Sequence, residues 1–382
     1  MKKSYFLVTI SIVTLSYESR SAAAFDLPGL KDLVMSLPGL ICVEDTIETQ
    51  TMPPSFPEKN WNMVEDIYGY GWDPEGLQEA YKVADKHKIA ALMVVDRGRL
   101  VGARGCTSAR WYIASMRKSL MATTYGKYVE SGQINLNSTL GELGIGEKGI
   151  EFQPEQLNVT VNMILTSSSG ICLPSAASGR RDCHVGQHGV PGKEFKYNNW
   201  DFNVADSIFT KQTGKNFYQA FQDDIADPIG MEDYRWKHDG RPSYIDESVH
   251  RAYHMYMTTR DLARFGLLMS RRGKWQEQQV VSKNWVDRAT SALMPTQGDQ
   301  DPGGYGHYWW VYNNNKFAKF GIPNGVYFAS GSYGQHIFVW PDADLVIVIR
   351  GHLLQQKIRG QTLKLPQILE VMGKVIAARR VH

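Results

Sequence analysis

Two residues could do chemistry together. Ser115 and Lys118 stand three positions apart in "ASMRKSLM", Ala114 to Met121. On a helix, that spacing puts a hydroxyl and an amine on one face. A serine hydroxyl becomes a nucleophile when a base takes its proton, and a lysine serves as that base when burial or a neighbouring cation disfavours its charged form. Ile113, Met116, Leu120 and Met121 supply apolar surroundings. At average usage, Ser-x-x-Lys arises about once by chance in a chain of this length, so the pair needs corroboration elsewhere.

A second cluster invites a metal reading. "CHVGQH" brings His184 and His188 near Cys183, but Gly186, Gly189 and Pro191 oppose the helix that would align the two histidines, and no glutamate accompanies them. No metal and no cofactor is expected. Of the four cysteines, Cys172 and Cys183 bracket "LPSAASGRRD", a short loop that a disulfide would staple, whereas Cys106 reads equally well as a buried free thiol.

The elements that must position Ser115 and Lys118 follow from periodicity. "GLQEAYKVADKHK" has helical spacing, and "IAALMVVDRGRLVGARG" reads as a hairpin turning at Asp96-Arg97-Gly98. The serine helix follows, from about Ser115 to Ser131. From there the chain reads as short helices separated by Gly, Pro and Ser, then "MTTRDLARFGLLMSRRG", a helix stopped by Gly273. "YGHYWWVYN", "NGVYFASGS" and "QHIFVWPDADLVIVIRG" return to strands, the last a hairpin turning at Pro341 to Asp344, and "KLPQILEVMGKVIAARR" closes as an amphipathic helix. Strands at both ends around a helical middle imply an α/β (α+β) fold. One antiparallel sheet built from both chain ends is flanked by helices, with an inserted helical lobe and a cleft where the lobes meet.

Three features now stand in one order: Ser115-x-x-Lys118, Tyr197-x-Asn199 in "FKYNNWD", and the glycine-rich strand entry "FASGSYGQHIFVW". This resembles the serine β-lactamase and DD-peptidase superfamily, with an order similar to class C β-lactamases, their esterase relatives and the 6-aminohexanoate-dimer hydrolases. "MILTSSSGI", "MTTRDLARFGLLM" and "YGHYWWV" are similar to further motifs of that group, and the likeness spans roughly residues 85 to 378. The resemblance implies a β-lactamase/transpeptidase-like hydrolase domain over residues 76–382, its helical lobe at about 132–300, preceded by an irregular wrapping segment at 25–75.

It also implies roles. Ser115 would attack a carbonyl and hold the acyl group, Lys118 would take or relay its proton, and Tyr197 would share that duty and protonate the leaving group. Asn199 would orient Lys118 or the substrate. The backbone N–H groups of Ser115 and Ser332 would form the oxyanion hole, with Gly331 and Gly334 letting substrate approach the strand edge and Tyr333 beside it. Trp200, Tyr308 and Trp309 join Tyr333 as candidate aromatic contacts, any one of which reads at least as well as ordinary packing of a Trp-rich core. Penicillin-processing members carry Lys-Thr-Gly or His-Thr-Gly on this strand; "FASGSYG" has no cation, which resembles the esterase and amide-dimer branch. A small ester or amide substrate is therefore expected, with weak or no β-lactamase activity. The alternatives are a β-lactamase or D-amino-acid peptidase, or a non-hydrolytic binder of cell-wall peptide. A Ser-His-Asp hydrolase of the α/β type is disfavoured, because the chain has no Gly-x-Ser-x-Gly elbow.

Composition bounds the partners. The 382 residues carry a net charge of only +3, with 43% hydrophobic and 21% charged residues, and no basic run interleaved with aromatics, so nucleic acid is not expected. "MKKSYFLVTISIVTLSYESRSAAAF" has the layout of a secretory signal peptide over residues 1–24, with an Ala-x-Ala site at Ala22 to Ala24. The expected mature chain is exported, periplasmic or secreted, without stable membrane insertion once the signal is removed; the alternative is a segment retained as a membrane anchor. Oligomeric state leaves no mark in the sequence.

Overall fold

The computed structural model describes residues 48–49, 56–177, 184–298, 301–353, 356–357, 360 and 362–380. The expected signal peptide lies outside them. In chain order the first strands are β1 Glu48–Thr49, β2 Asn62–Met63, β3 Ile89–Asp96, β4 Arg99–Gly105 and β5 Trp111–Tyr112. The middle of the chain holds β6 Gly240–Ile245, β7 Ser248–Met257, β8 Lys274–Trp275 and β9 Gln278–Gln279. The last group is β10 Met294–Pro295, β11 Gly303–Tyr305, β12 Trp310–Tyr312, β13 Tyr327–Gly331, β14 Gln335–Trp340 and β15 Leu345–Gly351. Among the described residues the longer helices are α1 Pro74–Lys86, α2 Arg117–Glu130, α3 Asn199–Thr213, α4 Thr259–Ser270 and α5 Leu365–Ala377.

Ten strands form one sheet in the order β1-β2-β4-β3-β15-β14-β13-β12-β11-β10, so the N-terminal hairpin pairs with the last strand of the chain, as the clustering of strands at both ends implies. The hairpin turn between β3 and β4 has Arg97 at φ +52° and Gly98 at φ +78°, the two left-handed residues a tight hairpin needs. The long runs in β3, β14 and β15 look continuously apolar because both faces are covered. Met93, Val95, Ile337, Val339, Val346 and Val348 enter one core, while Leu92, Val94, Phe338, Leu345, Ile347 and Ile349 enter the other. α4 packs on the first face, where Gly266 admits it: a Cβ there would lie 2.4 Å from Val346 Cγ1. α1 and α5 cover the second face, contributing Leu77, Ala80, Ile368, Leu369, Val371 and Met372.

Two expectations need correction. The sheet is not antiparallel throughout, since β1 runs parallel to β2 and β2 parallel to β4. The described part of the wrapping segment thus adds an edge to the sheet. Its approach is fixed by Arg264 of α4, fully buried, which donates to the carbonyl oxygens of Pro57, Glu58 and Lys59. The middle of the chain is not wholly helical either. β6 and β7 form a hairpin that β5 extends into a three-stranded sheet. Its alternation is muted because both faces carry amphipathic side chains: Tyr253, Met255 and Met257 are buried, while His254 and Tyr256 on the other face are half-buried.

Candidate active site

Ser115 sits in a 3₁₀ turn, Ala114–Met116, that runs directly into α2. The chain arrives on β5, whose Trp111 and Tyr112 pair with Met257 and Tyr256, and must turn at once into a helix. Ala114 makes that turn in the left-handed region at φ +49°. The helix is buried on nearly all sides from Arg117 to Tyr125, so it is anchored in the interior rather than lying on a surface. Ser115 itself stays half-exposed at its start. The first N–H groups of a helix have no partner within it, so this location supplies a free backbone donor beside the hydroxyl.

Lys118, only 2% exposed, gathers the other candidates around its ammonium nitrogen. Nζ lies 3.0 Å from Ser115 Oγ and 2.9 Å from Asn199 Oδ1, and it also bonds Tyr197 OH. The Phe202 ring centroid is 3.8 Å from the same nitrogen. Asn199 is held in turn, its Nδ2 donating to Ala177 O at 3.0 Å. α3 begins at Asn199, with Asn198 as its cap, accepting from Asp201 N at 2.8 Å, so the helix start fixes the Tyr197-x-Asn199 pair. The Tyr197 ring stacks on Trp310, 13° from parallel with centroids 6.0 Å apart.

The strand edge completes the site. A Cβ on Gly331 would lie 3.0 Å from Ser115 N and 2.6 Å from Ile113 O, so the end of β13 presses directly on the serine turn. Beyond it Ser332 is exposed, Tyr333 half-buried at φ +66°, and Gly334 at φ +75°. The turn is clamped through the Tyr333 carbonyl, which accepts from Gln335 Nε2 and from Gln356 Nε2, each at 3.0 Å. Buried Arg350 donates to Gln335 Oε1 at 2.6 Å, and burial pulls its pKa down to about 9. The serine turn and the Gly331–Ser332 edge are therefore immediate neighbours.

Not every sequence candidate arrives here. Trp200, Tyr308 and Trp309 are core residues at 0%, 1% and 0% exposure; Trp200 Nε1 donates to Glu147, and Tyr308 OH to Asp201 O. Tyr333 alone of the four proposed aromatics stays at the site. Trp310, Tyr112 and His254 were not anticipated. Tyr112 OH and His254 Nδ1 are 2.9 Å apart, and burial, with Arg117 and Lys118 nearby, lowers the histidine pKa to about 4, so the ring stays neutral. Only the pairing of β5 with β7 brings Tyr112 and His254 together, and the muted alternation of β7 hid that pairing. His188 accepts from Cys172 N at 3.1 Å, which occupies its Nδ1. Among the described residues no three His, Cys, Asp or Glu side chains group to hold a metal. Cys106, expected as readily to be a free thiol, is disulfide-bonded, as is Cys172. Cys183 lies outside the described residues, and with it the expected pairing of Cys172 with Cys183.

A sheet covered by helices on both faces, with Ser-x-x-Lys on a buried helix beside a glycine strand edge, defines the class of serine-dependent β-lactamase-fold proteins. The Beta-lactamase family model matches residues 79–356, more than half of the chain, and the protein belongs to that family. The chain is similar to a candidate 6-aminohexanoate-dimer hydrolase from Bacillus anthracis, at 20% identity and TM-score 0.59, covering 78% of this chain and 80% of that one. It is also similar to EstCE1, described as a hydrolase with promiscuous acyltransferase activity, at 14% identity and TM-score 0.59, covering 79% and 97%. A penicillin-binding protein from Bacillus halodurans matches at 14% identity and TM-score 0.56, covering 78% and 99%. At these identities the likeness establishes the shared fold. No curated protein matches the chain.

Proposed function

We propose that this protein is a serine hydrolase that forms an acyl-enzyme on a small ester or amide, with weak or no β-lactamase activity. The observation that carries the reading is the convergence of Ser115 Oγ, Tyr197 OH and Asn199 Oδ1 on Lys118 Nζ. Ser115 Oγ attacks the substrate carbonyl as its proton passes to the Lys118–Tyr197 pair. The negative charge that develops on the carbonyl oxygen is received by the N–H groups of Ser115 and Ser332. Collapse breaks the bond to the leaving group, which takes a proton from Tyr197; water then attacks the acyl carbon as the same pair takes its proton, and the acyl–Ser115 Oγ bond breaks as that proton passes to Ser115. Asn199 keeps the lysine in place.

Substrate class follows from what the strand edge lacks. Ser330, Gly331 and Ser332 offer no cation to a substrate carboxylate. A charge-assisted hydrogen bond of that kind contributes about 1.5–3 kcal/mol, roughly ten- to over a hundredfold in rate for a β-lactam. An uncharged ester loses nothing. p-Nitrophenyl acetate or butyrate should show a higher kcat/KM than nitrocefin, and a panel with D-amino-acid amides and linear amide dimers sorts the remaining classes. A nitrocefin rate tenfold or more above the esters overturns the assignment. The disulfide-bonded state of Cys106 and Cys172 supports the further proposal that the chain is exported to an oxidising compartment.

A further inference from the structure

Among the described residues three arginines are buried, and one of them lacks the partners that the others have. Arg264 donates to four backbone carbonyls and faces Glu232, and Arg350 donates to Gln335, Met257 O and Trp111 O. Arg117, 2% exposed, has one side-chain hydrogen bond: Nη1 donates to Ala114 O at 3.0 Å. Its Nε and Nη2 have no hydrogen-bond partner, and the guanidinium rests 5.2 Å over the Tyr253 ring. Among the described residues no carboxylate pairs with it. An apolar side chain would fill this space at less cost, so stability alone does not account for an arginine here.

The acceptor it does hold is the informative one. Ala114 is the left-handed residue immediately before the nucleophile. Its carbonyl and the Ser115 N–H belong to a single planar trans peptide and point in opposite directions. The Ala114 oxygen is held by the Arg117 backbone N–H and, from a second direction, by its guanidinium, so the side chain adds a restraint on the orientation of the Ser115 N–H, whose nitrogen adjoins the Gly331 edge, 3.0 Å from where an added Cβ would sit. We infer that Arg117 is a positioning residue that clamps the Ala114–Ser115 peptide and so holds the Ser115 N–H in the oxyanion hole. The inference rests on the serine-hydrolase reading above and adds to it a side chain that touches no substrate.

The test uses purified protein, p-nitrophenyl butyrate and phenylboronic acid, whose tetrahedral serine adduct carries an anionic oxygen. Arg117→Met keeps the stem and removes the donor, Arg117→Gln is too short to span to the carbonyl, and Arg117→Lys keeps a donor of similar reach. Loss of a whole oxyanion donor lowers kcat by about 10²–10³-fold, and a misaimed one by less. Arg117→Met and Arg117→Gln should therefore lower kcat about 10- to 100-fold with KM nearly unchanged, weaken boronate inhibition in proportion, and leave Arg117→Lys at least fivefold faster than either. Where Arg117→Met does not fold, the ratio of Lys to Gln decides. Equal kcat in the Lys and Gln variants, or boronate affinity that stays at the wild-type level while kcat falls, overturns the inference alone. A wild-type protein that neither hydrolyses esters nor labels with a fluorophosphonate overturns the hydrolase reading, and this inference with it.

Discussion

Gly331 stands against the backbone of Ser115 with no room for a methyl group. A Cβ there would approach Ile113 O to 2.6 Å, Ser115 N to 3.0 Å and Ala114 Cβ to 3.1 Å. All three are atoms of the turn that carries the nucleophile, and two of them are backbone, which cannot rotate aside. Gly331→Ala should therefore displace the serine turn from the strand edge and lower kcat/KM about 10- to 100-fold, the scale of a disturbed oxyanion donor. Circular dichroism and the unfolding midpoint should change little beside that loss. Activity within twofold of wild type would show that the turn has slack the geometry denies it.

The contacts on Lys118 make a prediction about coupling. Because one nitrogen bonds Ser115, Tyr197 and Asn199, removing the serine or the lysine disables the same unit. Ser115→Ala should abolish turnover, and Lys118→Met should fall nearly as far. The double variant should be no worse than the poorer single one, since residues that act together lose function together. Asn199→Ala should cost less, because it frees the lysine without removing it. Single-turnover rates on an activated ester measure all four, and strictly multiplicative losses would rule out a shared unit.

Much of this arrangement was legible in the residues. The hairpin turn at Arg97 and Gly98, the serine helix and the hairpin around Pro341 to Asp344 all appear where local chemistry places them, because each depends on neighbours in sequence. What was not legible depends on pairing across long separations. Tyr112 meets His254 only because β5 joins β7, 142 residues away in sequence. Trp200, Trp309 and Tyr308 read either as binding aromatics or as ordinary core packing, because a large ring looks the same in sequence whether it lines a cleft or fills a core. Arg117 lies inside the Ser115-x-x-Lys118 motif, but a charged residue on a helix reads as solvent-facing unless the helix is buried on nearly all sides, which only the fold shows.

Arg264 offers a test of how the N-terminal segment is held. Its guanidinium serves the carbonyls of Pro57, Glu58, Lys59 and Ile229. Arg264→Met fills the space but leaves those acceptors without their donor. The expected loss is at least about 2 kcal/mol, the size of hydrogen bonds to a charged group less what water recovers. Limited proteolysis should then cut first near residues 57–59. An unchanged urea midpoint and unchanged cleavage pattern would mean that the segment is held by its strand pairing alone.

Asp201 gives the fold a pH dependence close to the site. It lies two residues after Asn199 on α3, fully buried, with Oδ1 accepting from Ser169 Oγ at 2.6 Å and Oδ2 without a partner. Burial raises its pKa to about 8, against the lowering effect of Ser169 and Asn198. In the unfolded chain an aspartate ionises near pH 3.9. Between those two values the folded state holds a proton that the unfolded state has released, so stability falls as pH rises through that window and levels off above about 8. Asp201→Asn cannot ionise and lacks this slope. At pH 5 the variant should be comparable to or less stable than wild type, since its amide brings a donor to a site that offers little to accept it. By pH 8 the difference should have moved in the variant's favour by the order of 2–4 kcal/mol, the window spanning about three pH units at roughly 1.4 kcal/mol each at most. Urea midpoints for both proteins at pH 5, 6.5 and 8 measure it. Parallel pH dependences would place the proton elsewhere and leave Asp201 ionised in the folded protein.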